Sequence, residues 1–301
     1  MTETFTLAHF SDVHMSPISG FGWRYWNVKR VLGYLNWQYK RRHVHFTTVA
    51  DRLIADAHAL RPDHIAITGD LVNLGLPAEH DAALAWLRRV GSPDHVTVIP
   101  GNHDIYSSMR GDRGVARWAA YMGSEEDTLA FPFVRRVGPL ALVGLNSAVE
   151  TPPFFASGLL GAHQLEIAQE QLLGLDEEGA IRVVLIHHPP LADMTASRRR
   201  LKDAAHFAHL LERTGAELVL YGHNHIPAVD WLPSRGKPVP LIAAASASAG
   251  TAYGKEPLAR YNLFTFFRNP SGLRIRHVVR GLETPDGPVT KISENFLETD
   301  D

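Results

Sequence analysis

The chain has 301 residues, 45% of them apolar and 21% charged, and a formal net charge of -2. This composition fits a soluble globular protein with a sizeable core and carries no global charge toward nucleic acid or membrane. It has no cysteine, which excludes disulfides and thiolate chemistry, and its 17 histidines leave nitrogen and oxygen as the ligands for any metal.

The N-terminal "MTETFTLAHFSD" lacks the basic start and long apolar core of a signal peptide, and no run of about 18 apolar residues follows. The expectation is a cytoplasmic protein. No repeat, low-complexity linker or boundary is visible, so residues 1–301 read as one domain, with a cap segment over 17–43.

The first strand, "TLAHF", stops at Ser11, and Asp12 and His14 follow, on one side of an extended chain. Residues 21–43 hold three of the six tryptophans and six basic residues. Asn27 is placed to cap a helix whose face carries Val28, Val31, Leu32, Leu35 and Tyr39. Residues 47–60 read as a helix with Val49, Leu53, Ile54, Ala57 and Leu60 on one face. The strand "HIAITG" ends in Asp70, with Asn73 three residues on. Pro77 opens a helix to Val90, with acids early and arginines late. "VTVIPG" runs into Asn102, His103 and Asp104.

"ALVGLN" and "VVLIHH" are further strands around a helix at 161–175, and the second ends in His187 and His188. A helix over 202–215 closes on Gly215. "LVLYGH" then delivers His223 and His225. Strand–helix alternation argues for α/β layers. The last third, "VPLIAAASASAG", "RYNLFTFFRN" and "LRIRHVVRG", is strand-like without helices, which fits a mixed sheet or a second sheet packed on the first.

Five strand ends thus carry carboxylate, amide or imidazole. Each alone has a plain structural explanation: a turn, an Asx motif, or a hydrogen-bonded histidine. Together along one sheet they would crowd charges and imidazoles at a cost that only a cation offsets. The carboxyl ends of strands are where open α/β sheets bind ligands, and Gly69, Gly101 and Gly222 suit sharp turns there.

The ordered series "DVH", "GDLVN", "GNHD", "VLIHH" and "GHNH", spanning residues 12 to 225, resembles the calcineurin-like metallophosphoesterases. The resemblance implies an α/β fold, a four-layer αββα sandwich with two mixed sheets. It implies one metal held by Asp12, His14 and His225, a second held by Asn102, His187 and His223, and Asp70 bridging them. Val184 to His187 matches the family's Val-x-x-His, so His188 and Asn73 are expected behind the ligands. Imidazole, carboxylate and amide donors suit manganese, iron, zinc or cobalt.

Two cations neutralise a phosphodiester and lower the pKa of a bound water, so that hydroxide forms near neutral pH. His103 is expected to donate a proton to the leaving alkoxide or to stabilise its charge, with Asp104 orienting it or capping the next helix.

The motif set is most similar to the class III cyclic-nucleotide phosphodiesterase and glycerophosphodiesterase branch, and implies a small phosphodiester substrate. Purple acid phosphatases place Tyr at the Asn73 position, and UDP-diacylglucosamine hydrolases commonly lack the His103 equivalent. Hydrolysis of lipid-linked or nucleotide-linked phosphate or pyrophosphate bonds is the alternative. A non-catalytic scaffold disagrees with seven intact ligand positions. No extended nucleic acid is expected, because no long basic stripe exists outside 24–42. For residues 21–43 three roles stay open. It is a cap in which Arg24, Lys29 or Arg30 meets the leaving group, a membrane contact, or a helix packed on the core. Homo-oligomerisation also stays open.

Overall fold

β1 (Glu3–Phe10) pairs in parallel with β2 (His64–Ile67), and β2 with β3 (Val96–Val98). On its other side β1 meets β10 (Arg260–Asn269) antiparallel, followed by β11 (Gly272–Leu282) and β12 (Val289–Phe296). A second mixed sheet has the order β4 (Phe133–Val137), β5 (Leu140–Gly144), β6 (Ile181–Leu185), β7 (Leu218–Tyr221), β9 (Val239–Ala243), β8 (Ala228–Leu232). These elements come from a computed structural model that describes residues 3–107, 111–124, 129–269 and 272–297.

Period-two alternation makes the layers. Leu142, Val183 and Leu220 of the second sheet face Leu7 of the first, whose other face carries Phe10 and Ile65. Their neighbours Val143, Val184 and Val219 face away, onto α4 (Ala162–Glu177) and α5 (Ala204–Thr214), where Leu172 and Phe207 meet them. On the outer face of the first sheet, α2 (Thr47–Ala59) and α3 (Pro77–Val90) contribute Leu53 and Trp86. Helices, sheet, sheet and helices form the αββα sandwich.

The buried parallel strands are the ones the sequence announces, because burial on both faces demands a continuous apolar run. β4, β8 and β12 escape sequence reading. All three are sheet edges whose residues alternate or lie half-exposed, as in "FVRRV". The run "VPLIAAASASAG" is strand only to Ala243. Beyond it the small residues turn under the end of β1, where Ala247 N–H donates to the Ser11 carbonyl (2.9 Å) and Ser246 Oγ to the Asp12 carbonyl (2.7 Å).

The segment after β1 forms α1 (Val28–Tyr39), capped as expected by Asn27, whose Oδ1 accepts from Arg30 N–H (2.8 Å). Of the three roles left open for this segment, its orientation disagrees with a helix packed on the core by its apolar face. Val28, Leu32, Leu35 and Tyr39 face solvent, with Val28 70% and Tyr39 80% exposed. Arg30, Gly33 and Trp37 face the protein. Arg30 donates to the carbonyls of Leu74, Gly75 and Ser107. A Cβ at Gly33 would lie 2.4 Å from the Tyr106 hydroxyl, so glycine is what lets the helix approach.

Asp56 on α2 ties helix to sheet. It accepts from Tyr261 Oη (2.6 Å) and from Arg280 Nε and Nη2 (2.7 Å each). Burial works against the charge, but the Arg280 and Tyr261 donors outweigh it and hold the carboxyl below its usual range. A depressed carboxyl contributes stability above its unfolded pKa and loses it as pH falls through the folded value. Asp56→Asn is therefore expected to cost about 2 kcal/mol in urea unfolding at neutral pH. The gap from the parent should shrink below about pH 4.

Candidate metal centre

The five motif-bearing strand ends do not lie along one sheet, as the sequence reading assumed. Asp12, Asp70 and Asn102 leave the first sheet after β1, β2 and β3; His187 and His223 leave the second after β6 and β7. The cluster forms at the seam between the two. Asp12, His14, Asp70, His223 and His225 all take left-handed backbone, with φ between 42° and 70°, a region that costs non-glycine residues energy. The turns are held by backbone bonds from Asp12 N–H to the Gly69 carbonyl (3.0 Å) and from His14 N–H to the Asp70 carbonyl (2.9 Å). Across the seam, His223 N–H donates to Asp12 Oδ2 (2.9 Å). Gly69 does take the positive φ of a tight turn. Gly101 and Gly222 serve close approach instead: a Cβ would lie 2.3 Å from Asp70 Oδ1 in the first case and 1.9 Å from Ser11 Oγ in the second.

Three imidazoles are anchored through Nδ1–H and turn Nε2 inward. His14 donates to the Val72 carbonyl (3.3 Å), His187 to the Thr68 carbonyl (2.7 Å) and His225 to Glu256 Oε2 (3.0 Å). His14 Nε2 and His225 Nε2 then face each other at 3.1 Å. Asp12 Oδ1 lies 3.2 Å from His225 Nε2. On the other side of Asp70, His187 Nε2 is 3.3 Å from Asp70 Oδ2 and 3.1 Å from Asn102 Oδ1, and His223 Nδ1 is 2.8 Å from that same amide oxygen. Asp70 Oδ2 also lies 3.8 Å from His14 Nε2, so one carboxylate reaches both groups.

Lone pairs of buried nitrogens and oxygens pointed at one another repel unless a cation lies among them. Asp12 with His14 and His225, and Asp70 with His187 and His223, meet the spacing that a metal ion needs. This donor set fits metal.

Burial opposes charge on His187, yet Asp70 holds it up at about 9; Asp12 and Glu256 likewise outweigh burial and hold His225 at about 8. Burial, with Arg41 beside it, pushes His14 well below the ordinary range.

His188 spends both nitrogens elsewhere: Nδ1 accepts from Ser147 Oγ (2.8 Å) and Nε2 donates to the Ala156 carbonyl (3.2 Å). Asn73 Nδ2 donates to the Met15 carbonyl (2.7 Å). His103 lines the cavity, its Nδ1–H donating to the Asn73 carbonyl (2.6 Å). Asp104 does not orient His103 through its side chain. Its carboxylate accepts four backbone N–H groups, from Asp70 (2.8 Å), Leu71 (2.9 Å), Val72 (3.1 Å) and Gly101 (2.8 Å), because the chain after β2 coils around it. Glu79 continues the coil by accepting from Asn73, Leu74 and Leu76 N–H.

The substrate residues expected in the cap are corrected as well. Arg24 is exposed, Arg30 is buried against backbone carbonyls, and Lys29 donates to Thr151 Oγ1 (3.0 Å); none lines the cavity. The start of α1 does not reach the cavity wall. Its end and the following turn supply Asn36, Lys40 and Arg41. Arg41 Nη1 is 3.4 Å from Nδ1 of both His14 and His103, and Arg199, Tyr253 and Glu256 complete the wall. Glu256 carries no sequence signal, lying some thirty residues past His225 in an irregular stretch, whereas Glu79 occupies the helix position where a carboxylate commonly returns to preceding amides.

The calcineurin-like phosphoesterase profile matches residues 5–227, and the chain belongs to that family. Among curated relatives it is 29% identical over 175 residues to a cAMP/cGMP dual specificity phosphodiesterase of Mycobacterium tuberculosis, covering 55% of this chain and 49% of that protein. It is 27% identical over 178 residues to a probable cyclic nucleotide phosphodiesterase of Rhodococcus erythropolis, covering 56% and 53%. The chain thus spans about half the length of these relatives. Its fold is similar to that of a dimetal phosphatase from Danio rerio (TM-score 0.60, 16% identity, 96% of this chain and 98% of that one). A purple acid phosphatase from yellow lupin is also similar (TM-score 0.56, 13% identity, 97% and 53%). Among the described residues, no helix is long and apolar enough to cross a membrane.

Glu256→Gln removes the charge behind His225 and keeps the shape. It is expected to weaken metal affinity about 10- to 100-fold, read as retained metal after dialysis against graded chelator.

Proposed function

We propose that the chain is a dinuclear-metal phosphodiesterase acting on small phosphodiesters of the cyclic-nucleotide or glycerophosphodiester kind. The observation that supports this most is Arg41. Its guanidinium stands on the cavity wall between His14 and His103 and forms no ion pair among the described residues. A poorly hydrated cation with unspent donors suits a phosphoryl oxygen. The phosphodiesterase names of the relatives point the same way.

Asp12, His14 and His225 would hold one ion, Asn102, His187 and His223 the other, with Asp70 shared. When bound, two such ions neutralise phosphoryl oxygens and acidify a water. Manganese, iron, zinc and cobalt all suit these donors. Arg41 binds and orients the anion.

His103 commits Nδ1–H to the Asn73 carbonyl, which leaves Nε2 for the leaving oxygen. Burial, with Arg41 beside it, pushes His103 down to about 3, so without substrate it is neutral near pH 7. A phosphodiester brought against Arg41 offsets that cation and lifts the imidazole toward the protonated form a general acid needs. Lys40, whose Nζ lies 3.8 Å from the Tyr253 ring centroid, and Arg199 are placed for the rest of the ester. The exposed aromatic side chains near the cavity favour, as a second reading, a phosphate or pyrophosphate ester that carries a lipid.

A substrate panel with manganese decides between the readings: cyclic AMP, glycerophosphodiesters, aryl mono- and diesters and UDP-linked lipids. Turnover confined to the UDP-linked lipids replaces the first reading with the second. His103→Ala is expected to keep its metal and to lose about 10²–10⁴-fold on diesters with alkoxide leaving groups. The loss on an aryl diester should be much smaller, and equal losses on both refute the proton-donor role. Arg41→Gln should raise KM about 10- to 100-fold at unchanged metal content. The same change takes a cation from beside His103, so the imidazole should titrate at higher pH by NMR.

A further inference from the structure

Among the described residues, none covers the outward face of α1. Val28, Leu32, Leu35 and Tyr39, at spacings of four, three and four, form one apolar stripe in solvent. Trp23, 79% exposed, and Trp26 extend it upstream. A second apolar group, Phe154 and Phe155, is joined to the helix where Lys29 Nζ donates to Thr151 Oγ1 (3.0 Å), which itself donates to the Phe155 carbonyl (2.7 Å). Ala156, next in that loop, lines the cavity together with Asn36 of α1. Apolar side chains therefore flank the cavity from both sides.

The charge around them is one-sided. Residues 15–50 contain no Asp or Glu, although the chain as a whole is slightly acidic. Arg24, Lys40 and Arg42 stand along this segment. The cavity loop also pairs with an arginine run, through Ala156 N–H to the Arg198 carbonyl (3.0 Å) and Gly158 N–H to the Arg200 carbonyl (3.1 Å). Arg198, Arg200 and Lys202 are all exposed. The carboxylates close by are Glu150, beside Lys29, Glu256, engaged by His225, and Asp203, which accepts from Leu160 and Gly161 N–H.

We infer that this face docks on an anionic lipid surface, with α1 lying in the plane of the interface and the cavity turned toward the headgroups. Exposed Trp, Tyr, Phe and Leu flanked by Lys and Arg are what an interfacial helix needs: rings that rest at headgroup depth and cations that meet lipid phosphate. A protein partner or a second copy would cover the apolar stripe. The surrounding basic groups, short of carboxylates, match lipid phosphate instead. The inference rests on surface geometry alone and does not use the reaction.

The test is co-sedimentation of the full chain with vesicles of phosphatidylcholine alone and of phosphatidylcholine with about 30% phosphatidylglycerol. Binding to the anionic vesicles is expected to be at least about tenfold tighter, and to weaken as salt is raised to about 0.5 M. Brominated lipid should quench tryptophan fluorescence. Trp23→Ser with Trp26→Ser should abolish the quenching and most of the binding, and Arg198→Glu with Arg200→Glu should remove the preference for anionic lipid. Circular dichroism melting establishes that the variants are folded; should either pair unfold, Tyr39→Ser and Lys202→Glu give the same readouts. Equal binding to both vesicle types, or binding unchanged in folded variants, overturns the inference. So does a dimer in light scattering that the tryptophan changes dissolve, since that assigns the face to a second copy.

Discussion

Everything at the seam of the two sheets depends on backbone that non-glycine residues avoid. Asp12, His14, Asp70, His223 and His225 each hold positive φ, at a cost of order 1–3 kcal/mol per residue. No local preference explains five such residues in one place. The surrounding structure enforces them: the strand-end turns are bonded to each other from Asp12 to Gly69 and from His14 to Asp70, and the sheets are bonded across the seam from His223 to Asp12. The strain aims donors that extended backbone would spread over two faces of a sheet into one volume. The same turns create the electrostatic problem that a bound cation relieves.

Rigidity there comes from two carboxylates that are not ligands in this arrangement. Asp104 and Glu79 share the amides of residues 70–74 and 76 between them, so the loop carrying Asp70 and Asn73 is wound on two buried acceptors. Polar groups buried here have no water to turn to, which makes each of these bonds expensive to leave unmade. The Asn73 carbonyl held by this coil is the one that receives His103 Nδ1–H. The position of the histidine facing the cavity is thus inherited from the loop rather than from its own neighbour Asp104.

α1 shows a different balance. Its apolar stripe points outward because the inward face is already occupied by Arg30 satisfying three carbonyls, by Gly33 against Tyr106, and by Trp37. Periodicity reports that a helix has an apolar side; it is silent on which side the protein takes. An arginine counted as a surface charge is here a buried donor, and the cavity receives its cation from Arg41, two residues past the helix end.

The sequence by itself determined the parallel strands, the four outer helices, and the seven polar residues at strand ends whose order marks the family. Burial on both faces writes a continuous apolar run, and the chemistry of metal binding admits few residue types. The edge strands β4, β8 and β12 were not legible, because half-exposed strands have no such run. Nor were Arg41, Glu256 and Glu79 as members of the site, the division of the motifs between two sheets, or the outward turn of α1. These were decided only by tertiary structure. Each depends on which surfaces meet across the chain, and residues such as Glu256 and His225 are neighbours only after both sheets have packed.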